Sequence, residues 1–463
     1  MFSGKTVLDL VEGIKAKEFT SVQVVEHYIS MCESNKDKNA VIEVFADCID
    51  RAKEIDKKIA EGKEVGKLAG IPIAFNDNIL IEGKKATCCS PFLVDFVAPY
   101  SATVVNKLLE EDCIPFARLN MDEFALGNST ESSVYGATKN AIDDSRVAGG
   151  ASGGAAVAVS MGMCPVAIAT DINACSFNDV VGMKTTKGTI SRYGTVVSAS
   201  DQVTPITSDI ESLEYVLKIM AGKDFRDGIS IDNKFAPCKK ESYKVGLIKE
   251  AMDLIKSLPD YANFEKAVDS LKASGAEIIE VSVPHFKNAL ATYYIMGSAE
   301  TTSSLARYDG VKSSRRSDKA TDLESIYVLS RSEGFGLEAK RRIFLGNFVL
   351  SKSNYNLYFK KARKASVVIA NEVNSLFESC DIVLLPATLG EAFKLGEKVN
   401  EPVEMYKEDT FTVLSKIAGT PIISVPNGLG KNSLPVSVLF MAGSEKEEML
   451  FDIATKFESR RNK

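Results

Sequence analysis

Short apolar runs alternate with longer amphipathic segments along most of the chain. The apolar runs predict strands, because turn residues bound them and they are too short for helices: 70–75, 113–117, 164–170, 244–248, 277–283, 381–385, 421–425 and 436–440. The amphipathic segments predict helices at 20–34, 40–62, 101–109, 260–274 and 338–378. This alternation favours an α/β fold, in which a mostly parallel mixed central sheet is covered by helices on both faces.

The chain shows no sign of division into separate domains. It has no internal repeat and no linker rich in proline or serine. The charged, loop-like stretch 222–243 is flanked by predicted strands on both sides. We therefore expect a single domain that comprises residues 1–463.

The composition argues against several functional classes. Hydrophobic residues make up 45% of the 463 residues, which is enough for a large core. The net charge of −6 gives no sign of a strongly basic nucleic-acid surface. There are only two histidines, His27 and His285, which argues against a histidine-rich metal site and against a Ser-His-Asp triad. We interpret both histidines as structural and expect no bound metal.

Cysteine usage and the start of the chain predict the cellular location. Nine cysteines are scattered without a repeated spacing, which favours reduced thiols. The first residues lack the pattern of a signal peptide, and no apolar run approaches the roughly 20 residues needed to span a bilayer. We therefore expect a soluble, cytoplasmic protein that does not contact membranes.

The most informative motif is a glycine-rich loop at residues 147–159, with the sequence VAGGASGGAAVAV. A phosphate-binding P-loop is excluded, because no Gly-Lys-(Ser/Thr) sequence follows. A second motif, TDINACS, follows at residues 170–176. Together the two segments resemble the signature region of the amidase signature family, the Ser-Ser-Lys amidases.

The resemblance extends along nearly the whole chain and is strongest to one branch, the A subunits of the aspartyl/glutamyl-tRNA amidotransferases. Blocks similar to this branch occur in the same order at 70–79, 120–131, 135–140, 192–194, 306–310, 340–346, 393–397, 405–409 and 418–426. The resemblance implies the amidase-signature fold, with a signature core at about residues 65–210. It is stronger evidence for descent than for activity.

The resemblance also implies partners. In active members the A subunit hydrolyses glutamine and releases ammonia, and a B subunit uses ATP to convert misacylated Glu-tRNA or Asp-tRNA into its amide. A small C subunit braces the pair. We therefore expect B- and C-type partner subunits, glutamine or a similar small amide as ligand, and contact with tRNA only through the partner. This chain itself needs no cofactor, because ATP and magnesium belong to a partner.

The three catalytic positions of the family are substituted. A lysine base, a relay serine and a serine nucleophile align with Asn76, Ala151 and Cys175, and the last two are 24 residues apart as in the family. A carboxamide has no useful basicity, so the base is lost at Asn76, whose side chain we expect to bond neighbouring backbone. Ser152, next to the relay position, is a possible substitute.

Cys175 leaves one route to activity open. A thiol is intrinsically a better nucleophile than a hydroxyl, but a reactive thiolate needs a neighbouring cation or a helix N-terminus. With Asn76 in place of lysine, only a helix end remains. Ser176 is an alternative nucleophile by a shift of one residue.

The surroundings of the nucleophile position also depart from the family. The family's turn carries two glycines and supplies backbone N–H groups as an oxyanion hole, whereas this chain has Asn173 and Ala174 there. Losing one such donor typically costs about 10²–10³ in rate. About five residues of pocket wall, between Asp179 and Val180, are missing relative to the family.

Residues that bind the amino-acid part of glutamine are retained. The resemblance maps the arginine that binds the glutamine carboxylate to Arg342, and the acidic residue that holds the α-amino group to Asp409. It also places a tyrosine, Tyr293, in the same pocket. An arginine and a carboxylate are a suitable pair for a zwitterion.

Three hypotheses follow. The first is a homologue of the glutaminase subunit that is catalytically degenerate and serves for scaffolding or ligand binding. The alternative is an active glutamine amidohydrolase that supplies ammonia for Gln-tRNA or Asn-tRNA formation, with Cys175 as its nucleophile. The third is a docking module outside such a complex, which ranks last because the chain carries no interaction repeats.

Overall fold

The computed structural model describes residues 2, 4–196, 202–312 and 314–461. Its strands are β1 (Val41–Val44), β2 (Pro72–Asn76), β3 (Ile114–Leu119), β4 (Val166–Ala169), β5 (Val181–Lys184), β6 (Thr204–Thr207), β7 (Lys244–Ile248), β8 (Glu277–Val281), β9 (Ile382–Pro386), β10 (Ile422–Leu429) and β11 (Pro435–Ala442). All eight predicted strands are present, so this part of the prediction is confirmed. The strands that the sequence did not predict, β1, β5 and β6, have only four residues each.

The helices lie between these strands and at both ends of the chain. They are α1 (Val7–Lys15), α2 (Ser21–Ser34), α3 (Cys48–Ala60), α4 (Thr103–Glu110), α5 (Gly153–Ser160), α6 (Asn173–Phe177), α7 (Ile210–Met220), α8 (Lys249–Ser257), α9 (Tyr261–Ala273), α10 (Phe286–Leu305), α11 (Leu323–Gly334), α12 (Leu337–Leu350), α13 (Phe359–Leu376), α14 (Pro402–Lys407), α15 (Val413–Ala418) and α16 (Glu447–Arg461). No helix in the described part of the chain has the length and apolarity needed to cross a membrane.

One sheet contains all eleven strands, in the order β1-β3-β2-β4-β6-β5-β10-β11-β9-β7-β8. Strand β2 is parallel to β3 and β4, and β7 is parallel to β8 and β9. The other described pairs of neighbours are antiparallel. The fold is therefore α/β as predicted, but the prediction that the sheet is mostly parallel is wrong. A strand buried on both faces has the same apolar pattern in either direction, so the pattern could not reveal the pairing.

The sheet lies inside the molecule. Every residue of β2, β4, β5, β9 and β11 is buried. Because successive side chains of a strand point to opposite faces, both faces of the sheet are covered. The strands come from residues 41 to 442; the single domain 1–463 stays a prediction.

Two helix predictions need correction. The segment 40–62 was predicted as one helix, but it contains β1 and then α3. Residues Val41–Val44 pair with β3 at the sheet edge, where their β-branched side chains are half-buried. The stretch 338–378 is divided into α12 and α13 by a segment of turns. By contrast, α2 matches its prediction, and Thr20 caps it in a capping box.

Adjacent strand ends position the signature segments. Strands β2 and β4 are parallel neighbours, and their carboxyl ends lie at one edge of the sheet. Asn76 is the last residue of β2, and Thr170 directly follows β4. The glycine-rich loop leads into α5, which packs against both strands. The topology thus brings together three segments that are far apart in sequence.

Candidate functional site

Asn76 and Ser152 form the centre of the candidate site. The Asn76 Nδ2 group donates a hydrogen bond of 2.8 Å to Ser152 Oγ, and the backbone N–H of Thr170 donates to the same oxygen at 3.2 Å. The partner of Asn76 is thus a side chain, not the backbone groups expected from the sequence. Ser152 is fully buried, and the lysine position holds a neutral amide. This arrangement fixes the hydroxyl but provides no group that could remove its proton.

The glycine-rich loop packs closely against neighbouring backbone. The peptide bond between Gly150 and Ala151 is cis, and the Ala151 side chain is buried. A Cβ atom at Gly150 would lie 2.2 Å from Asp122 Oδ2, and one at Gly154 would lie 2.3 Å from the carbonyl oxygen of Asn120. The glycines are therefore required by the close packing of the loop against residues 120–130.

Cys175 lies inside the short helix α6 and its thiol points into the core. A Cβ atom built on Gly182 would be 2.8 Å from Cys175 Sγ, which shows that the sulfur packs directly on strand β5. Cys175 is completely buried. Burial raises the pKa of the Cys175 thiol well above its usual value, and the Asp171 carboxylate raises it further. A thiolate is thus disfavoured where a nucleophile needs one.

The alternative nucleophile, Ser176, has a structural role. Its Oγ accepts a hydrogen bond of 3.1 Å from the backbone N–H of Ser437, in strand β11. The same oxygen lies 3.4 Å from the hydroxyl of Thr388. These contacts tie α6 to the sheet.

Lys184 is a buried lysine near the site, but its amino group is hydrogen-bonded to backbone carbonyl oxygens. Burial lowers its pKa to about 7, and the neighbouring Lys416 lowers it too. Its Nζ donates hydrogen bonds to the carbonyl oxygens of Thr420, at 2.7 Å, and Thr185, at 3.3 Å. The amino group therefore links β5 to the start of β10.

Arg342 is the predicted carboxylate ligand, and it is held from several sides. Its Nε donates to Glu338 Oε1 at 2.7 Å, one turn earlier in α12. The guanidinium carbon lies 4.4 Å from the ring centre of Tyr294 and 4.5 Å from that of Tyr406. Burial alone would lower the pKa of Arg342, but the two tyrosines and Glu338 raise it above its usual value. Arg342 is thus a permanent, oriented cation.

Asp409 is the predicted ligand of the α-amino group. Both of its carboxylate oxygens accept hydrogen bonds from other side chains of the protein. It accepts hydrogen bonds from Tyr294 Oη at 2.5 Å and from Asn128 Nδ2 at 3.0 Å. It also accepts bonds from Asn173 Nδ2 at 2.6 Å and from Lys416 Nζ at 3.2 Å. Burial alone would raise the pKa of Asp409, but Lys416 and the other donors lower it, so the carboxylate is charged.

The structure brings the three predicted ligand-binding residues, Arg342, Asp409 and Tyr293, to the wall of one small pocket. Their role in binding stays a prediction. The sequence did not identify Asn173 or Lys416 as members of this group. Asn173 was noticed only as the loss of a glycine, and nothing in the pattern around Lys416 indicates that its side chain reaches the same carboxylate.

Comparison with known proteins agrees with these motifs. A family model described as Amidase matches residues 23–451. The chain is 40% identical to the A subunit of the glutamyl-tRNA(Gln) amidotransferase of Fusobacterium nucleatum subsp. nucleatum, over 98% of this chain and 96% of the relative. The relative of the same name from Thermoanaerobacter pseudethanolicus is also 40% identical, over 98% and 96%. The crystal structure of the equivalent protein from Thermotoga maritima is 30% identical, covers 99% of this chain and 95% of its own, and superposes with a TM-score of 0.79.

Proposed function

Since the chain belongs to the amidase signature family, we propose that it is an A-type amidotransferase subunit that has lost glutaminase chemistry and plays a structural part. Relatives named as A subunits of the glutamyl-tRNA(Gln) amidotransferase match it over nearly the full length of both chains. The proposed complex is a heterotrimer with B- and C-type subunits. ATP, magnesium and tRNA would be bound by the partners.

The burial of the three catalytic positions carries this proposal. Asn76 is 1% exposed, Ala151 is 3% exposed and Cys175 is 0% exposed. A substrate carbonyl must come within about 3–3.5 Å of a nucleophile in order to react. The Cys175 thiol instead packs on Gly182 in the core. The site thus lacks a base, a relay and an accessible nucleophile.

A cytoplasmic location is part of the proposal. All nine cysteines are free thiols, and eight of them are buried. Reduced thiols are typical of proteins in a reducing compartment. The relatives are named for glutamyl-tRNA, which points to the same compartment.

The surface of α12 and α13 supports a role in assembly. Residues 344–364 contain five lysines and arginines and no aspartate or glutamate, although the whole chain has a net charge of −6. Phe344 is 73% exposed, and the rings of Phe348 and Tyr358 pack together on the surface with centres 5.4 Å apart. Exposed aromatic residues and arginines are enriched at protein interfaces. We assign this basic aromatic surface, residues 344–364, to contact with a B- or C-type partner.

Ammonia release from glutamine tests the loss of chemistry. We expect the purified protein to release none above background, alone or with B- and C-type partners. The relative from Fusobacterium nucleatum, assayed in the same way, is the positive control, and Cys175→Ala is the matched variant. Release that disappears in Cys175→Ala would overturn the proposal and establish the alternative, an active amidohydrolase with Cys175 as nucleophile.

Loss of the Phe344 ring tests the basic aromatic surface. We expect Phe344→Ser to weaken binding of the partner subunits by about 30-fold, because a central exposed aromatic residue commonly contributes about 2 kcal/mol. The matched control is Phe225→Ser, since Phe225 is 94% exposed and lies far from residues 344–364 in the sequence. Surface plasmon resonance with immobilised partner measures both. Equal affinities for the two variants would contradict the assignment.

A further inference from the structure

The pocket between α10, α12 and α15 has two unequal halves. In one half, Arg342 uses Nε to bond Glu338, and no other hydrogen bond of its guanidinium appears within the described residues. In the other half, the Asp409 carboxylate accepts hydrogen bonds from five side chains, those of Tyr294, Asn128, Asn173, Lys416 and Thr412. The Arg342 guanidinium therefore has N–H groups available for a ligand. The oxygens of Asp409, by contrast, are already hydrogen-bonded to side chains of the protein itself.

Lys416 supplies a cation where a ligand would otherwise supply one. Its Nζ lies 3.2 Å from Asp409 Oδ1 and 2.9 Å from Asp171 Oδ2. All three side chains are at least nine-tenths buried. An ammonium group between two buried carboxylates is the arrangement that an α-amino group would need. A second cation at this place would face Lys416 at close range.

Asn173, in α6, is a second donor to the Asp409 carboxylate. Its Nδ2 donates to Asp409 Oδ1 at 2.6 Å, so the same oxygen receives both Asn173 and Lys416. A glycine at position 173 would have no side chain to reach Asp409. The helix α6 therefore contributes a donor that blocks the approach to this carboxylate.

We propose that Lys416 and Asn173 act as an internal substitute for an amino-acid ammonium group, so that this pocket excludes free amino acids such as glutamine. The inference rests on the proposed function and deepens it: the protein plays a structural part and does not sense glutamine. It makes Lys416 and Asn173 determinants of specificity. Neither residue was assigned a role from the sequence.

The small volume of the pocket agrees with the exclusion of free amino acids. Its free volume is about 30 Å³. A single water needs roughly 10–15 Å³ of such volume, so the space holds about two waters and not an amino acid. A larger cavity of about 270 Å³ adjoins it and shares Leu126, Gly127 and Asn128 with it. Removing the Lys416 side chain would enlarge the small pocket.

Binding measured by calorimetry tests the proposal. We expect the wild type not to bind glutamine, and the double variant Asn173→Gly/Lys416→Ala to bind it at least about tenfold more tightly. Asn173→Gly alone, which keeps Lys416 and puts less strain on folding, should lie in between. The control ligand is glutaramate, which is glutamine without its α-amino group, and it should gain no affinity in any variant. Thermal unfolding curves establish that each variant is folded.

The outcomes separate this proposal from the proposed function. Binding of glutamine by the wild type, or no binding by any folded variant, would overturn the internal substitution. An equal gain for glutaramate would overturn it as well, because the gain would then not depend on the ammonium group. Ammonia release by the wild type would overturn the loss of chemistry as well, whereas glutamine binding without ammonia release would overturn the internal substitution alone. The variants should bind glutamine without hydrolysing it, since they gain no base and no accessible nucleophile.

Discussion

Replacing Lys416 by alanine is expected to lower the free energy of unfolding by about 3–5 kcal/mol. Lys416 is the cation shared by Asp171 and Asp409, and all three groups are nearly inaccessible to water. Without it, two buried carboxylates would lose their counter-charge. Breaking a buried ion pair on one side costs far more than the pair contributes, because the remaining charge is left in a poorly solvated place. Urea unfolding at neutral pH measures the change.

A nearby surface lysine provides the matched control. Lys407 pairs with Glu404 on the exposed side of α14, and the two side chains are 46% and 50% exposed. Lys407→Ala should therefore cost no more than about 1 kcal/mol, as is usual for surface pairs. If both variants lost the same small amount, the interpretation of Lys416 as a buried counter-ion would be wrong.

Gly154→Ala is expected to destabilise the fold by about 1–3 kcal/mol or more, although it adds only a methyl group. The new Cβ would lie 2.3 Å from the carbonyl oxygen of Asn120 and 2.7 Å from that of Ala40. Both obstacles are backbone atoms, which cannot move aside as a side chain could. The loop or the strand β3 that precedes Asn120 must shift. Chemical denaturation followed by circular dichroism measures the loss.

The control for this prediction is a glycine with free space around it. Gly297 lies inside α10, and a Cβ there meets no atom within 4 Å. Gly297→Ala should therefore stabilise the protein by about 0.5–1 kcal/mol, because alanine has the higher helix propensity. A stabilising effect of Gly154→Ala would show that the loop does not need glycine for packing.

Close packing explains why the glycine-rich motif needs two of its glycines. Gly150 and Gly154 are needed because other parts of the chain approach their Cα atoms closely. Ala151 is not subject to this demand, since its small side chain fits the buried position. Packing therefore accounts for Gly150 and Gly154, and the loss of chemistry at Ala151 stays a prediction.

Much of the fold followed from the sequence. The family resemblance is confirmed, all eight predicted strands are present, and α2 begins at the predicted cap. The errors have one physical cause, which is that pairing partners lie far away in the sequence. Residues Val41–Val44 form a strand only because β3 lies beside them, and the antiparallel pairs arise from the path of the chain between buried strands.

The sequence by itself determined which residues stand at the positions aligned with the family's lysine and relay serine: Asn76 and Ala151 carry neither a base nor a hydroxyl. It also predicted Arg342 and Asp409 as ligand-binding residues. Only the tertiary structure decided the state of Cys175, whose thiol is buried against Gly182. The contact of Asn173 and Lys416 with one carboxylate was likewise invisible in the sequence. Burial and charge pairing depend on contacts between segments that are far apart in the sequence. The local sequence pattern does not specify which distant segments come into contact.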